Sequence, residues 1–286
     1  MGTQQITVIC GPTASGKSAT ALQLAQKTDG VIINADSQQL YRDVPTLTAR
    51  PTPEEEENIP HKLYGILAAD ESPSAGKWLR LAKMEIDWVL SQGKHPIVTG
   101  GTGMYLKALT QGMAEIPDID ESVRNQAEND FEAMGKEAFS ERLKAVDPEF
   151  FERLKVYDKQ RLVRAYSVWL GSGKPLTYWQ QQETKPLYPK ECFSIQLVTL
   201  PREEIYTRCD ARFVQMVEQG AVEEVKALLE LGIADDASIR KVIGVPELVA
   251  YIQGDMELED AISKAQQATR NYAKRQMTWF RHQLQT

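Results

Sequence analysis

The chain has 286 residues, of which 42% are hydrophobic and 26% are charged; this composition is typical of a globular protein with one large domain or two unequal ones, and it excludes a disordered chain, a coiled coil and a repeat array. The 33 basic and 40 acidic residues leave a formal net charge of −7 at pH 7, which excludes a general basic coat for nucleic acid but leaves room for local patches. Three widely spaced cysteines fit neither a disulfide framework nor a tetrahedral zinc site. Because the N-terminus lacks a basic and apolar leader and no apolar run approaches the roughly 20 residues of a spanning helix, we expect a cytoplasmic protein.

Short apolar segments alternate with helical patterns along much of the chain, which predicts a parallel sheet. The predicted strands are residues 5–10, 31–33, 96–99 and 194–200. Helical spacing of apolar residues precedes the third strand at 76–92 and follows the fourth at 202–231.

Between about residues 118 and 190 the chain changes to long charged helical stretches with little strand signal. We therefore predict two parts. Residues 1–117 and 191–286 form an α/β core, a parallel sheet flanked by helices like that of P-loop NTPases, and residues 118–190 form an inserted all-helical subdomain.

A phosphate-binding motif lies between the first predicted strand and the helix after it. The motif, G-x4-G-K-[ST], consists of Gly11, Pro12, Thr13, Ala14, Ser15, Gly16, Lys17 and Ser18. Its backbone N–H groups and the positive end of the following helix can hold a diphosphate or triphosphate, while Lys17 adds a charge and Ser18 can ligate Mg²⁺. ATP is the default ligand, but no apolar strand ends in Asp-Glu to serve as a hydrolytic element, so transfer chemistry is favoured over a motor or a switch.

A carboxylate follows the second predicted strand, and a glycine-rich turn follows the third. Asp36 comes after the run at 31–35, and Thr102 lies in the turn at 99–103. The carboxyl ends of neighbouring strands in a doubly wound sheet meet at one crevice, so we expect both side chains beside the phosphate loop. From this position Asp36 can abstract a proton, hold Mg²⁺ through water or cap a following helix, and position alone does not separate these roles.

The C-terminal segment from residue 261 onward is basic and aromatic, in contrast with the acidic whole. It contains Lys264, Arg270, Lys274, Arg275 and Arg281 together with Tyr272, Trp279 and Phe280, and no acidic residue. This mixture suits an RNA backbone and stacked bases. We expect the rings to pack partly inward and the cations to face RNA.

Five blocks of sequence resemble the tRNA dimethylallyltransferase family, the tRNA isopentenyltransferases, of bacterial type. In chain order they are GPTASGKS, INADSQQLYRD, GGTGMYLKAL, KQRLVRAYSV and ATRNYAKRQMTWFR. The resemblance spans nearly the whole chain. It implies transfer of the dimethylallyl group from dimethylallyl diphosphate to N6 of adenosine 37, in tRNAs reading codons that begin with U, by a monomer that uses Mg²⁺ and binds the anticodon stem-loop.

The resemblance also implies catalytic roles. Asp36 would be the general base that takes a proton from the adenine amine, and Thr102 would help to hold that amine. Lys17, the loop N–H groups and Mg²⁺ on Ser18 would stabilise the charge that grows on the departing diphosphate.

We predict that Arg212 is a further diphosphate ligand. It shares a helix face with Arg208, and a solvated pair flanking Asp210 is the alternative role for one of the two arginines.

The RNA must present its target base outside the stack, because adenosine 37 is not reachable while it is stacked in the anticodon loop. The predicted tRNA contacts are Asp36, Ser37, Gln38, Gln39, Thr102, Arg124, Gln160, Arg161, Leu162, Val163, Arg164, Arg240, Lys241, Lys274, Arg275 and Arg281. Without the resemblance, Arg161 and Arg164 are equally typical of a solvated helix face.

Two segments depart from the family pattern. Residues 44–50 read VPTLTAR where GMDIGTAK is commoner, so local geometry after Asp36 differs. Ile243-Gly244 is followed by Val245-Pro246 instead of an aromatic residue or Thr and then a base, and we hypothesise that Arg240 and Lys241 compensate.

Two other functions remain as alternatives. One is an ATP-dependent small-molecule kinase in which Asp36 activates a hydroxyl and Arg161 with Arg164 belongs to a lid. The other is a nucleotide-dependent RNA-binding protein without enzymatic activity, which rests on the basic tail.

Overall fold

A parallel sheet forms the centre of the larger of two compact units. The computed structural model describes residues 5–154 and 158–283, and within them the strands are β1 Ile6–Cys10, β2 Gly30–Asn34, β3 His61–Lys62, β4 His95–Gly100 and β5 Phe193–Leu197. Their order is β3-β2-β4-β1-β5, and every neighbouring pair is parallel. The predicted α/β class is confirmed. The strand β3 was missed because two residues are too short to show a periodic pattern.

The central strands are buried on both faces, and their sequences are continuous apolar runs for that reason. Cys10 at the end of β1 is in register with Gly100 of β4, and Asn34 at the end of β2 is in register with Thr99. Because the strands run in the same direction, the segments that follow β1, β2 and β4 leave the sheet side by side.

Helices connect the strands and form most of the rest of the described chain. They are α1 Lys17–Thr28, α2 Pro45–Thr48, α3 Pro53–Asn58, α4 Ala75–Ser91, α5 Gly103–Gln111, α6 Glu121–Val146, α7 Pro148–Arg153, α8 Lys159–Ser172, α9 Leu176–Gln180, α10 Arg202–Glu218, α11 Ala221–Glu230, α12 Val245–Ile252 and α13 Leu258–Gln283. Single 3-10 turns lie at Lys190–Cys192 and Ser238–Lys241.

Two predicted segments differ from the observed elements. The run predicted over 202–231 is two helices, since the chain breaks between α10 and α11 at residues 219–220. The strand predicted over 194–200 begins one residue earlier and ends at Leu197, because the chain turns at Pro201 into α10.

The chain divides into a sheet unit, made of the described residues up to 110 and those from 186 onward, and a helical unit, residues 111–185. The division falls a few residues before the predicted boundaries at 118 and 190. At the first boundary the reason is packing: Ile116 precedes the predicted start at 118, but its side chain packs against the apolar core of the helical unit.

Each unit has its own core. The sheet unit buries side chains of β1, β2 and β4 with α4 and the C-terminal helices, and the helical unit buries Phe139, Leu143, Leu162 and Tyr166. Full burial of such a side chain contributes about 1.5–3 kcal/mol.

Two further observations concern the cysteines and the hydrophobicity of the helices. Cys10, Cys192 and Cys209 all have free thiols. Among residues 5–154 and 158–283, none of the helices combines the length and the apolar character needed to cross a lipid bilayer.

Candidate active site

The phosphate loop, residues 11–18, joins β1 to the first turn of α1. Gly16 has a φ of 93°, in the left-handed region that glycine adopts without steric cost, and α1 begins at the next residue. The first N–H groups of a helix lack intrahelical partners. Together with the positive end of the helix dipole, they make the loop a site for phosphate oxygens.

Two serine hydroxyls of this loop differ in environment. Ser15 Oγ is buried and has no hydrogen-bond partner among the described residues, whereas Ser18 is exposed at the start of α1. An orphaned buried hydroxyl is uncommon in a folded protein. The loop is therefore built to accept a polar ligand.

Lys17 and Arg212 bring two positive charges to this end of the sheet. Burial lowers the pKa of Lys17 below its ordinary value, with Asp36 opposing the shift and Arg212 adding to it. Burial likewise lowers the pKa of Arg212, and the charge of Arg208 adds to it. In the part of the chain that the structure describes, neither Lys17 nor Arg212 forms an ion pair. Two partly buried cations that form no ion pair within the described residues favour an anionic ligand.

Arg208 has a different role from Arg212. Its guanidinium pairs with Glu204 one helical turn away, at 2.7 Å. Arg208 is therefore the arginine that forms an exposed ion pair, and its partner is Glu204. Asp210 pairs with Arg270 instead, at 2.5 Å.

Asp36 is held in position by the buried side chain of Asn34. The Asn34 Oδ1 atom accepts a hydrogen bond from the Asp36 N–H at 2.8 Å, and Asn34 Nδ2 donates to the Asp36 carbonyl at 3.0 Å. Asp36 Oδ1 accepts from the Gln38 N–H at 3.1 Å. No helix follows directly, since residues 35–44 are bends and turns. The alternative in which Asp36 only caps a following helix is therefore excluded.

Thr102 joins the segment after β4 to the segment after β2. Its N–H donates to the Ala35 carbonyl at 3.1 Å. Its hydroxyl accepts from the Ser37 N–H at 2.9 Å and lies 3.2 Å from the Ser37 hydroxyl. The predicted proximity of Asp36 and Thr102 at one crevice is confirmed, because residues bonded to Thr102 flank Asp36 on both sides.

A cavity that is open to solvent lies beside these groups. Its lining residues are Thr13, Asp36, Gln38, Leu47, Thr48, Ala49, Cys209, Arg212, Phe213, Met216, Ile243, Thr269 and Tyr272. Asp36 and Arg212 supply charge, whereas Leu47, Phe213 and Met216 supply apolar surface. The cavity can therefore hold a ligand with an anionic end and a hydrocarbon end.

Neutral side chains complete the cavity wall. Burial raises the pKa of Tyr272, and the charge of Asp36 raises it further. Burial also raises the pKa of Cys209, so its thiol stays protonated and is a poor nucleophile. Sequence reasoning assigned no site role to either residue. The available signal was helical spacing, because Thr269 and Tyr272 on α13 and Cys209 and Arg212 on α10 are each three residues apart.

Gln38 and Gln39, both predicted to contact tRNA, differ in their surroundings. Gln38 lines the cavity. The Gln39 amide donates to the carbonyls of Thr48 and Ala49 at 2.9 and 2.8 Å. The N–H groups of the Gln39 amide are therefore already bonded within the chain and are not free to donate to RNA.

Arg240 is also occupied within the chain. Its guanidinium donates to the carbonyls of Ile233 and Ala234 and pairs with Asp235 at 3.2 Å. These contacts hold the loop before α12, and only Lys241 presents an exposed charge. Of the two residues proposed to compensate for Val245-Pro246, Arg240 is thus bound within the chain, and only Lys241 is left to contact RNA.

The basic tail forms the second half of α13. Phe280 is buried and Trp279 packs against the core, whereas Lys274, Arg275 and Arg281 are exposed. The predicted inward packing of the rings is confirmed, and the cations face away from that core.

The candidate contacts of the helical unit separate into exposed and buried residues. Gln160, Arg161 and Arg164 are exposed on α8, and the pKa of Arg164 is lowered by burial of part of its guanidinium and by the nearby Arg124.

Three of these predicted contacts have roles inside the unit. Leu162 and Val163 are buried in its core. Their side chains are therefore not available to RNA, in correction of the prediction. Arg124 is exposed, but its guanidinium donates twice to the Ile119 carbonyl, at 2.9 and 2.7 Å.

Known proteins resemble this chain over nearly its whole length. The sequence profile of the IPP transferase family matches residues 39–283, and that of isopentenyl transferases matches residues 4–68. A tRNA dimethylallyltransferase of Rhodospirillum centenum is 47% identical over 99% of this chain and 90% of its own length. One of Caulobacter sp. is 44% identical over 98% and 90%.

Solved structures lead to the same family. The tRNA isopentenylpyrophosphate transferase of Bacillus halodurans is 32% identical, with a TM-score of 0.68 over 98% of this chain and 88% of that one. A eukaryotic dimethylallyltransferase acting on tRNA is 28% identical, with a TM-score of 0.84 over 98% and 71%. These relatives give no support to the kinase alternative. By sequence and by fold, this chain belongs to the IPP transferase family.

Proposed function

We propose that this protein transfers the dimethylallyl group of dimethylallyl diphosphate to N6 of adenosine 37, in tRNAs reading codons that begin with U, and releases diphosphate. The relatives named above support the reaction class. The observation that carries the proposal is the mixed lining of the cavity. Asp36 and Arg212 supply charge beside apolar side chains, and Lys17 lies close enough to both charges for its pKa to respond to them.

The donor is bound through its two chemically different ends. The diphosphate lies on the N–H groups of the phosphate loop and between Lys17 and Arg212, where it supplies the negative charge that these cations lack. The dimethylallyl group lies against Leu47, Phe213 and Met216. Apolar surface around the reacting carbon also excludes water, which would otherwise hydrolyse the allylic diphosphate.

The transfer is a displacement at C1 of the donor. The N6 amine forms a bond to C1 while the bond from C1 to the diphosphate oxygen breaks, and the electron pair of that bond leaves with the diphosphate. Asp36 accepts the proton that the amine loses. Lys17, Arg212 and the loop N–H groups stabilise the growing charge on the leaving group, so they act most strongly in the transition state.

Mg²⁺ fits the oxygen donors present at the phosphate loop. Ser18 exposes a hydroxyl at the start of α1, and the Ser15 hydroxyl nearby lacks a partner within the described chain. No group of three metal-ligating side chains occurs among the described residues. Ser18 would therefore be the protein's direct contact to Mg²⁺. When bound, Mg²⁺ neutralises charge on the diphosphate.

The tRNA is bound through its anticodon stem-loop by a monomer. On the helical unit, Gln160, Arg161 and Arg164 supply exposed polar groups; on the sheet unit, Lys241 and the tail cations do the same. Ser37 and Gln38 lie next to Asp36, at the place where the extruded adenine enters.

The test is transfer of label from dimethylallyl diphosphate, with Mg²⁺, to an unmodified tRNA that carries A36, A37 and A38. The matched control is the same tRNA with G37. We expect label on the A37 tRNA alone. Absence of label on both, with ATP turning over when it is added instead, would replace this proposal by the kinase.

A further inference from the structure

Gln276 on α13 joins two loops that are far apart in sequence. Its side chain is buried, with 5% of its surface exposed. Its Oε1 atom accepts a hydrogen bond from the Thr13 N–H at 2.8 Å, and its Nε2 atom donates to the Gly101 carbonyl at 3.0 Å. One amide therefore satisfies a donor of the phosphate loop and an acceptor of the turn after β4.

The fit around this amide is close. A Cβ atom added to Gly101 would lie 2.2 Å from Gln276 Nε2, so the turn approaches the amide only because residue 101 is glycine. The two ends of the amide match these two partners in kind: the oxygen only accepts and the nitrogen only donates. Neither an apolar side chain nor a carboxylate reproduces both bonds.

The two loops carry different parts of the site. Thr13 lies in the phosphate loop and lines the cavity. Gly101 precedes Thr102, whose hydroxyl is bonded to Ser37 beside Asp36. Hydrogen bonds thus connect the phosphate loop through Gln276 to Gly101, and the adjoining Thr102 continues the connection to the residues that flank the carboxylate.

We propose that Gln276 is a positioning residue, which holds the phosphate loop at the distance from Thr102 and Asp36 that lets the amine meet C1 of the donor. This inference rests on the proposed function. Gln276 touches neither substrate in this arrangement and acts through the two loops. Since small displacements of reacting groups slow a reaction strongly, loss of the bridge lowers the rate of transfer more than it weakens either substrate's binding.

The first test is Gln276→Leu, which replaces the amide with an apolar side chain of similar size and so removes both hydrogen bonds. We expect kcat to fall by roughly tenfold to a hundredfold, with KM for dimethylallyl diphosphate and for tRNA changing by less than about threefold. The matched control is Gln267→Leu on the exposed face of the same helix, where the partners of the amide among the described residues are Asn271 and Arg270. We expect that variant to keep wild-type kcat.

The second test is Gln276→Glu, read as a pH profile. Its ionised carboxyl accepts from the Thr13 N–H but repels the Gly101 carbonyl, whereas its protonated form donates to that carbonyl. Burial raises the pKa of such a carboxyl, so the ratio of variant to wild-type kcat should rise as the pH falls from roughly 8.5 to 5.5. A purely structural role would not produce this acid rescue.

The outcomes separate the role of Gln276 from the function itself. Wild-type kcat in Gln276→Leu, or a pH-independent ratio in Gln276→Glu, would overturn the positioning role while wild-type transfer stands. If Gln276→Leu does not fold, the pH profile of Gln276→Glu decides alone. Wild-type protein that transfers no label overturns the proposed function and this role with it.

Discussion

Asp36 uses its two carboxylate oxygens differently. Oδ1 accepts the hydrogen bond from the Gln38 N–H that shapes the turn, and in the described chain Oδ2 has no such partner. The assignment of Asp36 as a base therefore concerns Oδ2. Asn34 fixes the backbone of Asp36 on both its N–H and its carbonyl, so the carboxylate is presented by a rigid segment.

Replacement of Asp36 by Asn separates these two roles. The amide oxygen can still accept from the Gln38 N–H, so the turn is preserved, but the side chain no longer takes up a proton. We expect kcat to fall by about 100-fold or more, with tRNA affinity within about threefold of wild type. Single-turnover transfer and tRNA binding measure the two quantities. A variant of near-normal rate would remove the base from Asp36.

If Lys17 binds the donor's diphosphate as proposed, donor binding depends on pH. Its lowered pKa means that it loses its proton at a lower pH than the ordinary value of 10.5, and only the charged ammonium attracts diphosphate. We expect KM for dimethylallyl diphosphate to be lowest below this pKa and to rise as the pH increases through it. Lys17→Ala should show a high KM without this alkaline rise. Initial rates across the alkaline range, with tRNA saturating, provide the comparison. A flat profile in the wild type would exclude Lys17 from donor binding.

Among the helices and loops, the short helix α2 forms one wall of the cavity and is fastened at both ends. Glu224 of α11 accepts from the N–H groups of Thr46 and Leu47 at 2.7 and 3.0 Å. Gln39 donates to the carbonyls at the other end of the helix. This wall coincides with the segment 44–50 that departs from the family pattern, so its shape belongs to this chain's own sequence.

Glu224→Gln should loosen this wall. The glutamine oxygen can still accept from one of the N–H groups of Thr46 and Leu47. Its NH₂ group, itself a donor, would face the other N–H group. We expect KM for dimethylallyl diphosphate to rise, and its advantage in kcat/KM over the longer geranyl diphosphate to fall by roughly tenfold, the equivalent of one charge-assisted hydrogen bond. Glu223→Gln is the control, since Glu223 is exposed and its ion-pair partner within the described residues is Lys226. Unchanged donor selectivity in Glu224→Gln would contradict this role of α2.

On α8, neighbouring residues have different functions. Leu162 is fully buried, so Leu162→Ala should lower the free energy of unfolding by about 2–5 kcal/mol without changing tRNA affinity at temperatures where the protein is folded. Arg161→Ala should weaken tRNA binding and change stability by less than about 0.5 kcal/mol. Denaturant unfolding and tRNA titration distinguish them. Equal tRNA defects in both variants would mean that the helix acts as a unit.

Taken as one molecule, the protein is an acidic chain that we propose binds a polyanion. With a net charge of −7, attraction to tRNA must come from local clusters of cations. The exposed Lys274 and Arg275 on the second half of α13 form one such cluster. Phosphate contacts release counterions and make affinity depend on salt.

Removal of both cations by Lys274→Ala and Arg275→Ala should reduce the slope of log affinity against log salt by about 1.5. The control is Lys226→Ala, whose charge already pairs with Glu223 and whose loss should leave the slope unchanged. Filter binding of tRNA at several salt concentrations gives both slopes. A slope that does not change in the double variant would place the tail outside the RNA interface.

The residue pattern predicted those features whose physics is local. The phosphate loop can be recognised from the sequence because glycine, lysine and serine must follow one another at fixed spacing to bind phosphate. Strands buried on both faces are legible as apolar runs, and the parallel order of β1, β2 and β4 brings Asp36 and Thr102 to one edge of the sheet. The family followed from five such blocks in order.

Contacts between residues far apart in the chain could not be predicted from the sequence in the same way. Gln276 meets Thr13 and Gly101 across most of the chain, and an isolated glutamine in a helical pattern gives no sign of either partner. The same holds for Arg240 and Leu162: a charged side chain is as compatible with an exposed surface as with backbone carbonyls, and an apolar one beside arginines is as compatible with a ligand as with a core. Only the packing of the chain selects between these environments, because each side chain's role depends on which distant groups surround it.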